Sequence, residues 1–225
     1  AAIAASQEEA RKKAEKAARE EARRKADEAA VAAAASAGKV DQATIAAAQR
    51  KYRGKKAPLC AALEAKDEDA AEALLDGGAD PNEVDGDGRN ALHRAARKGC
   101  RPPLLQRVLA RIHDVNTVNN WGRCVRRLTH GSTALMFAAE NNQLDVVISL
   151  MNHPRIDLNV QHRYNDTALH CAVRNNNPAI VSQLLSDDKI DASLKDYYNR
   201  TALKEAIVWG RAECVTILRQ HGAPE

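Results

Sequence analysis

Thr167-Ala168-Leu169-His170-Cys171-Ala172 is the stretch whose reading decides the fold, because the chain repeats it. Looser copies are Ala57-Pro58-Leu59-Cys60-Ala61-Ala62, Asn90-Ala91-Leu92-His93-Arg94-Ala95, Thr133-Ala134-Leu135-Met136-Phe137-Ala138 and Thr201-Ala202-Leu203-Lys204-Glu205-Ala206. With the Leu as register mark, the copies stand 33, 43, 34 and 34 residues apart, and an Ala follows each Leu by three places. Self-similarity at a fixed period in the thirties is the signature of a solenoid built from stacked supersecondary units.

Working outward, the 225 residues are 44% hydrophobic and 28% charged, the composition of an ordinary soluble domain, but only 3% are aromatic. The core must therefore be made of Ala, Leu, Val and Ile. The formal charge of +4 is uneven: residues 1–57 carry +6 and the remainder −2, so the basic character belongs to the N-terminal arm. The five Cys are an odd number without a Cys-x-x-Cys pair, which reads as free thiols in a reducing compartment. No apolar run reaches the ~18 residues of a membrane span, and no segment reads as a secretory signal peptide. The expected location is intracellular, cytoplasmic or within a cytoskeletal or axonemal assembly.

Residues 1–38 are expected to form a long charged helix. No Gly or Pro interrupts Gln7 to Ala35, and Glu-first pairs such as Glu8/Lys12, Glu15/Arg19 and Glu21/Lys25 recur at i,i+4 spacing. Its apolar stripe is all Ala, which buries too little area for a strong coiled coil but lets another backbone approach closely.

Residues 39–57 read as a second, basic helix N-capped by Asp41. Gln49-Arg50-Lys51-Tyr52-Arg53-Gly54-Lys55-Lys56 resembles the IQ motif, the helical target of calmodulin-like light chains. The resemblance implies that Ile45, Gln49, Tyr52, Arg53 and Lys56 contact an acidic EF-hand lobe, with Ile45, Ala48 and Tyr52 as the apolar side. Ala48 stands where a bulky aliphatic residue is usual, and Pro58 ends the segment where a basic residue is usual.

From residue 57 onward the chain resembles an ankyrin-repeat array. Leu74-Leu75-Asp76-Gly77-Gly78-Ala79-Asp80-Pro81-Asn82 matches the family's unit ending. Val147, Val181 and Val215 stand twelve residues after their register Leu, and Leu150, Leu184 and Leu218 fifteen after it. The resemblance implies an all-α solenoid of five helix–turn–helix units with β-hairpin fingers: 57–87, 88–130 with an inserted finger, 131–164, 165–198 and 199–225. Gly88, Gly131, Asn165 and Asn199 each stand two residues before a motif copy, where a tight turn needs a residue tolerant of left-handed backbone.

The 43-residue step places about ten extra residues in the second finger, where Trp121, Arg123, Arg126 and Arg127 lie. The later fingers carry Arg163, Tyr164, Lys195, Tyr197 and Tyr198. Aromatic residues and arginines placed in loops and not in the core point to a protein interface.

Catalytic and metal constellations are missing from the pattern. Asp85-Gly86-Asp87-Gly88 lacks the closing Glu of a calcium loop and reads as a finger turn. His93 and His170 occupy the family's motif His, which implies a structural hydrogen bond. No nucleophile–base pair, phosphate loop or four-ligand metal pattern is present, so no enzyme activity and no cofactor are expected, and one basic cluster with one aromatic is thin support for nucleic-acid binding. The expected role is a non-catalytic scaffold or adaptor holding a protein on the concave repeat face, with the arm as anchor. A light-chain target and a structural subunit of a large assembly are the alternatives.

Overall fold

Four of the five motif copies open with a residue that caps its own helix. The side chains of Asn90, Thr133, Thr167 and Thr201 accept hydrogen bonds from the amides of His93, Met136, His170 and Lys204. This satisfies a donor that a helix start leaves unpaired. The first copy instead places Pro58 at its first helical turn, where the missing N–H costs nothing.

The computed structural model describes residues 40–119 and 131–225. In chain order the described helices are α1 (Gln42–Lys51), α2 (Pro58–Glu64), α3 (Glu68–Asp76), α4 (Ala91–Lys98), α5 (Pro102–Leu109), α6 (Ala134–Glu140), α7 (Leu144–Met151), α8 (Ala168–Arg174), α9 (Pro178–Leu185), α10 (Ala202–Val208) and α11 (Ala212–Gln220). The expected helix over 1–38 lies outside the described residues. Residues Lys39–Glu225 form one compact unit.

Each repeat is a pair of short antiparallel helices: α2/α3, α4/α5, α6/α7, α8/α9 and α10/α11. First helices pack on first helices along the array, and α5, α7, α9 and α11 pack likewise in a second layer. The register residues make the core. Leu59, Leu92, Leu135, Leu169 and Leu203 are buried, and the alanines three places on (Ala62, Ala95, Ala138, Ala172, Ala206) have no exposed surface at all. Ala at that position lets successive first helices approach. Each buried Leu contributes about 1.5–3 kcal/mol of transfer free energy.

The two helices of a repeat are separated by one residue with left-handed φ, always seven places after the register Leu: Lys66, Gly99, Asn142, Asn176 and Gly210. The expected left-handed residues before the motifs are also found, with φ of 65° at Gly88, 78° at Gly131, 57° at Asn165 and 59° at Asn199.

The fingers are tight turns, and no strand is present among the described residues. The turns at 85–89, 162–166 and 196–200 are each closed by two backbone bonds, one from Asp85 N to Arg89 O, His162 N to Asp166 O and Asp196 N to Arg200 O, the other from Gly88 N, Asn165 N and Asn199 N back to Asp85 O, His162 O and Asp196 O. The first side chain of each turn takes two further amides: Asp85 those of Asp87 and Arg89, His162 those of Tyr164 and Asp166, Asp196 those of Tyr198 and Arg200. Donors that a strand ladder would pair are thus satisfied locally.

Helix α1 lies outside the five repeats yet packs as part of the array. Asp41 caps it, accepting from Thr44 N at 2.6 Å, and Ile45, Ala48 and Tyr52 are buried against α3 in the common core. Asp67 receives the Tyr52 hydroxyl at 3.0 Å and the Lys51 ammonium at 2.5 Å. The apolar side that the IQ-like pattern would offer to a light chain is therefore occupied within the chain. An EF-hand lobe could take it only by displacing α1. Gln49, Arg53 and Lys56 remain exposed.

Candidate functional site: the finger surface of the last repeats

The fourth and fifth repeats bring their finger tips together. Tyr197 N donates to Tyr164 O at 2.8 Å, joining one turn to the next. This bond sets the spacing of the aromatic rings. His162 and Tyr164 meet edge-to-face at 5.7 Å between centroids, Tyr164 and Tyr197 at 6.3 Å, and Tyr197 and Tyr198 at 5.4 Å. The ladder is buried at one end, at His162, and open at the other, where Tyr197 and Tyr198 are 68% and 71% exposed.

Cations flank the rings. The Arg163 guanidinium lies 5.9 Å from the Tyr164 centroid, and that of Arg200 lies 4.8 Å from the Tyr198 centroid. Lys195 and Arg163 are exposed, as is Lys204 on α10. The two carboxylates of the tips are buried: Asp196 holds Arg200 at 2.7 Å, and Asp166 holds Arg174 at 2.6 Å. The surface thus offers open phenol rings and exposed cations, Arg163 and Lys195, on a fixed turn framework. Rings of this kind give large contact area at small entropic cost, and cation–π geometry adds to it.

Beneath the tips lies a buried polar network. Arg174 on α8 donates to Asp166 at 2.6 Å and to Glu205 on α10 at 2.9 Å, and Glu205 has no exposed surface. Burial alone would raise the Asp166 carboxyl, but hydrogen bonds from His162 and Arg174 outweigh it and hold the group well below the usual carboxylate range. The His170 ring Nε2 lies 3.2 Å from the carbonyl of Arg200, so that nitrogen carries the proton and pins the last finger. His93 does the same for the second finger, 2.9 Å from Thr117 O. The structural role implied for the motif His is what these contacts describe.

Five of the sequence-predicted interface residues (Arg163, Tyr164, Lys195, Tyr197 and Tyr198) meet on this surface. Trp121, Arg123, Arg126 and Arg127 lie outside the described residues. The base of their inserted finger is described: Asn119 N donates to Ser132 O at 3.0 Å and Gly131 N to Asn119 O at 3.1 Å. Sequence reading missed His162 and Arg200 as members of the aromatic–cation ladder. Their signal was positional, since His162 shares its register with Asp85 and Asp196, the residues that close the other turns.

No group of three or more His, Cys, Asp or Glu able to hold a metal is found among the described residues. Cys60, Cys171 and Cys214 are buried and unpaired, and burial pushes the Cys60 thiol up to about 12, far from a reactive thiolate. Asp85 and Asp87 are turned to Arg94, at 2.5 and 2.8 Å, as members of a finger turn. No helix of the described residues is long and apolar enough to cross a membrane.

Comparison with known families gives three overlapping matches to a model described as ankyrin repeats, over residues 59–162, 92–196 and 135–224. No curated protein matches the chain.

Proposed function

Because the chain belongs to the ankyrin-repeat family, we propose that its protein-interaction module is a non-catalytic adaptor whose partner docks on the finger surface of repeats 4 and 5. The observation that carries this reading is the pair of open rings at Tyr197 and Tyr198, held in line with Tyr164 by the bond between fingers. Exposed aromatic residues on a rigid frame beside free cations have the composition of binding hot spots. The inserted finger shares that composition in Trp121, Arg123, Arg126 and Arg127, and we assign these residues to the same partner. The charged segment 1–38 is the proposed anchor to a larger assembly.

The test is an affinity capture from native extract with the full chain and with a Tyr197→Ala/Tyr198→Ala/Arg163→Ala variant. These side chains point away from the core, so the melting curve should not move. Proteins retained by the parent chain should be lost by the variant. Retention of the same set at the same yield by a folded variant would overturn the finger assignment. Trp121→Ala/Arg126→Ala, run alongside, tests the inserted finger separately.

A further inference from the structure

The corner between α1 and α2 concentrates exposed positive charge. Elsewhere in the first two repeats Arg94, Arg97, Arg101 and Arg107 each meet a carboxylate. At the corner, Lys51 meets Asp67, but Arg50, Arg53, Lys55 and Lys56 are exposed and have no carboxylate partner among the described residues. The corner is nonetheless fixed. Tyr52 is buried, Arg53 N donates to Arg50 O at 3.3 Å, Lys55 N donates to Tyr52 O at 3.2 Å, and Gly54 takes a φ of 77° that redirects the chain. Four unpaired cations within seven residues on a held turn make a local positive potential.

The corner opens onto a cavity of roughly 220 Å³. Lys55 and Lys56 line it on one side, and Ala57, Cys60 and Ala61 give it an apolar wall. Glu64 and Asp85 also border it, but both are drawn to Arg94, at 2.7 and 2.5 Å. The cavity therefore combines an apolar wall with ammonium groups at its side.

We propose that this corner is a second docking site, separate from the finger surface, for a short acidic segment of a protein partner. Carboxylates of the segment pair with Arg53, Lys55 and Lys56, and one aliphatic side chain enters the cavity against Ala57, Cys60 and Ala61. Charge complementarity selects an anion, and the apolar wall selects one that carries a hydrocarbon side chain. The surroundings favour a short protein segment over a long polyanion. Residues 57–87 contain ten Asp/Glu and a single Lys, so nucleic acid or an anionic membrane extending beyond the corner would meet carboxylates. Tyr52, the only aromatic of the segment, is buried and unavailable for stacking on bases.

The experiment uses the full chain and a fluorescein-labelled Glu-Glu-Leu-Glu-Glu peptide, read by fluorescence anisotropy. Binding should weaken about tenfold between 50 and 300 mM salt, because exposed charges are screened. Arg53→Gln/Lys55→Gln/Lys56→Gln should lose at least about tenfold in affinity, with an unchanged melting curve, in line with loss of several rim charges. A peptide with Ser for Leu should bind several-fold more weakly, and Ala61→Leu, which fills the cavity, should abolish that difference. Equal affinity of the triple variant would overturn the proposal. So would tighter, corner-dependent binding of a single-stranded RNA or an anionic vesicle than of the peptide. Tyr197→Ala/Tyr198→Ala should leave peptide affinity intact, which separates this site from the finger surface.

Discussion

Lys66 holds a left-handed φ of 57° at the position where the other repeats place Gly99, Asn142, Asn176 and Gly210. A side chain with a Cβ and no local hydrogen-bonding group pays about 1–2 kcal/mol for this conformation, whereas Asn tolerates it. Lys66 is exposed. Lys66→Asn should therefore raise stability by about 0.5–1 kcal/mol, read as a higher urea midpoint. His93 supplies a pH dependence. Burial pushes its ring down to about 4, against an ordinary 6.5, and hydrogen bonding to Thr117 only partly opposes this. The folded protein thus keeps His93 neutral while the unfolded chain takes up a proton below about pH 6.5. Its contribution is complete above that pH and is lost as pH falls towards 4, by about 3 kcal/mol in total. The difference in urea stability between the parent chain and His93→Gln, measured from pH 7.5 to 4, should track this curve. A flat difference would show that His93 does not govern the acid limb.

At the scale of elements, α1 behaves as a cap on the array, and Gly77 shows how closely it docks. A Cβ at Gly77 would stand 2.8 Å from the Ile45 Cγ2 and 3.0 Å from the Gln49 Nε2. The φ of Gly77 is −76°, so the obstacle is space and not backbone strain. Gly77→Ala should push α1 outward at a cost of about 1–3 kcal/mol, the range for overpacking. Hydrogen exchange at residues 45–52 should accelerate while residues 169–184 stay unchanged. Much of this scale was legible beforehand: Asp41 as a cap, the five Leu–Ala registers, and the left-handed residues before each motif. These recur because each repeat solves the same stacking problem with the same residue types. Contacts between repeats were not legible. Asn82, Asn116 and Asn159 carry no signal in their local sequence. In the fold each donates through Nδ2 to a carbonyl of the next repeat (Arg111, Arg155, Lys189) and accepts from an amide two residues on (His113, Asp157, Asp191). The partners lie 29 to 41 residues away, beyond any local pattern. The same distance hides the packing of Tyr164 on Tyr197, although both stand at finger positions in the sequence. The burial of Ile45, Ala48 and Tyr52 was hidden because an apolar helix face looks the same whether it meets its own chain or another.

Over the whole molecule, charge is sorted by repeat. Residues 57–87 hold ten Asp/Glu and one Lys, and residues 88–130 hold ten Lys/Arg and one Asp. The two repeats meet along a seam of pairs: Glu64 with Arg94 and Lys98 at 2.7 and 3.0 Å, Glu68 with Arg101 at 2.6 Å, and Asp76 with Arg107. Farther along, the fourth and fifth repeats are joined by the half-buried Arg174 paired with the buried Glu205. These two seams should answer salt differently. Arg101 is 51% exposed, so its pairs with Glu68 and Asp69 are screened, while the pair made by Glu205, which has no exposed surface, is screened less. Raising NaCl from 50 mM to 1 M should weaken the first seam by about 1–2 kcal/mol in all, allowing for exposure. Amides of α2 and α3 should then exchange faster relative to those of α8 and α9. The converse substitution separates the mechanisms. Arg174→Met leaves the buried Glu205 with only Arg200, at 3.5 Å, and should cost about 3 kcal/mol with little dependence on salt. If salt loosened both ends of the array equally, the sorting of charge would have no part in holding the repeats in order. If only the first seam loosened, the four cations left over at the α1–α2 corner would stand out as charge that the stacking itself does not use.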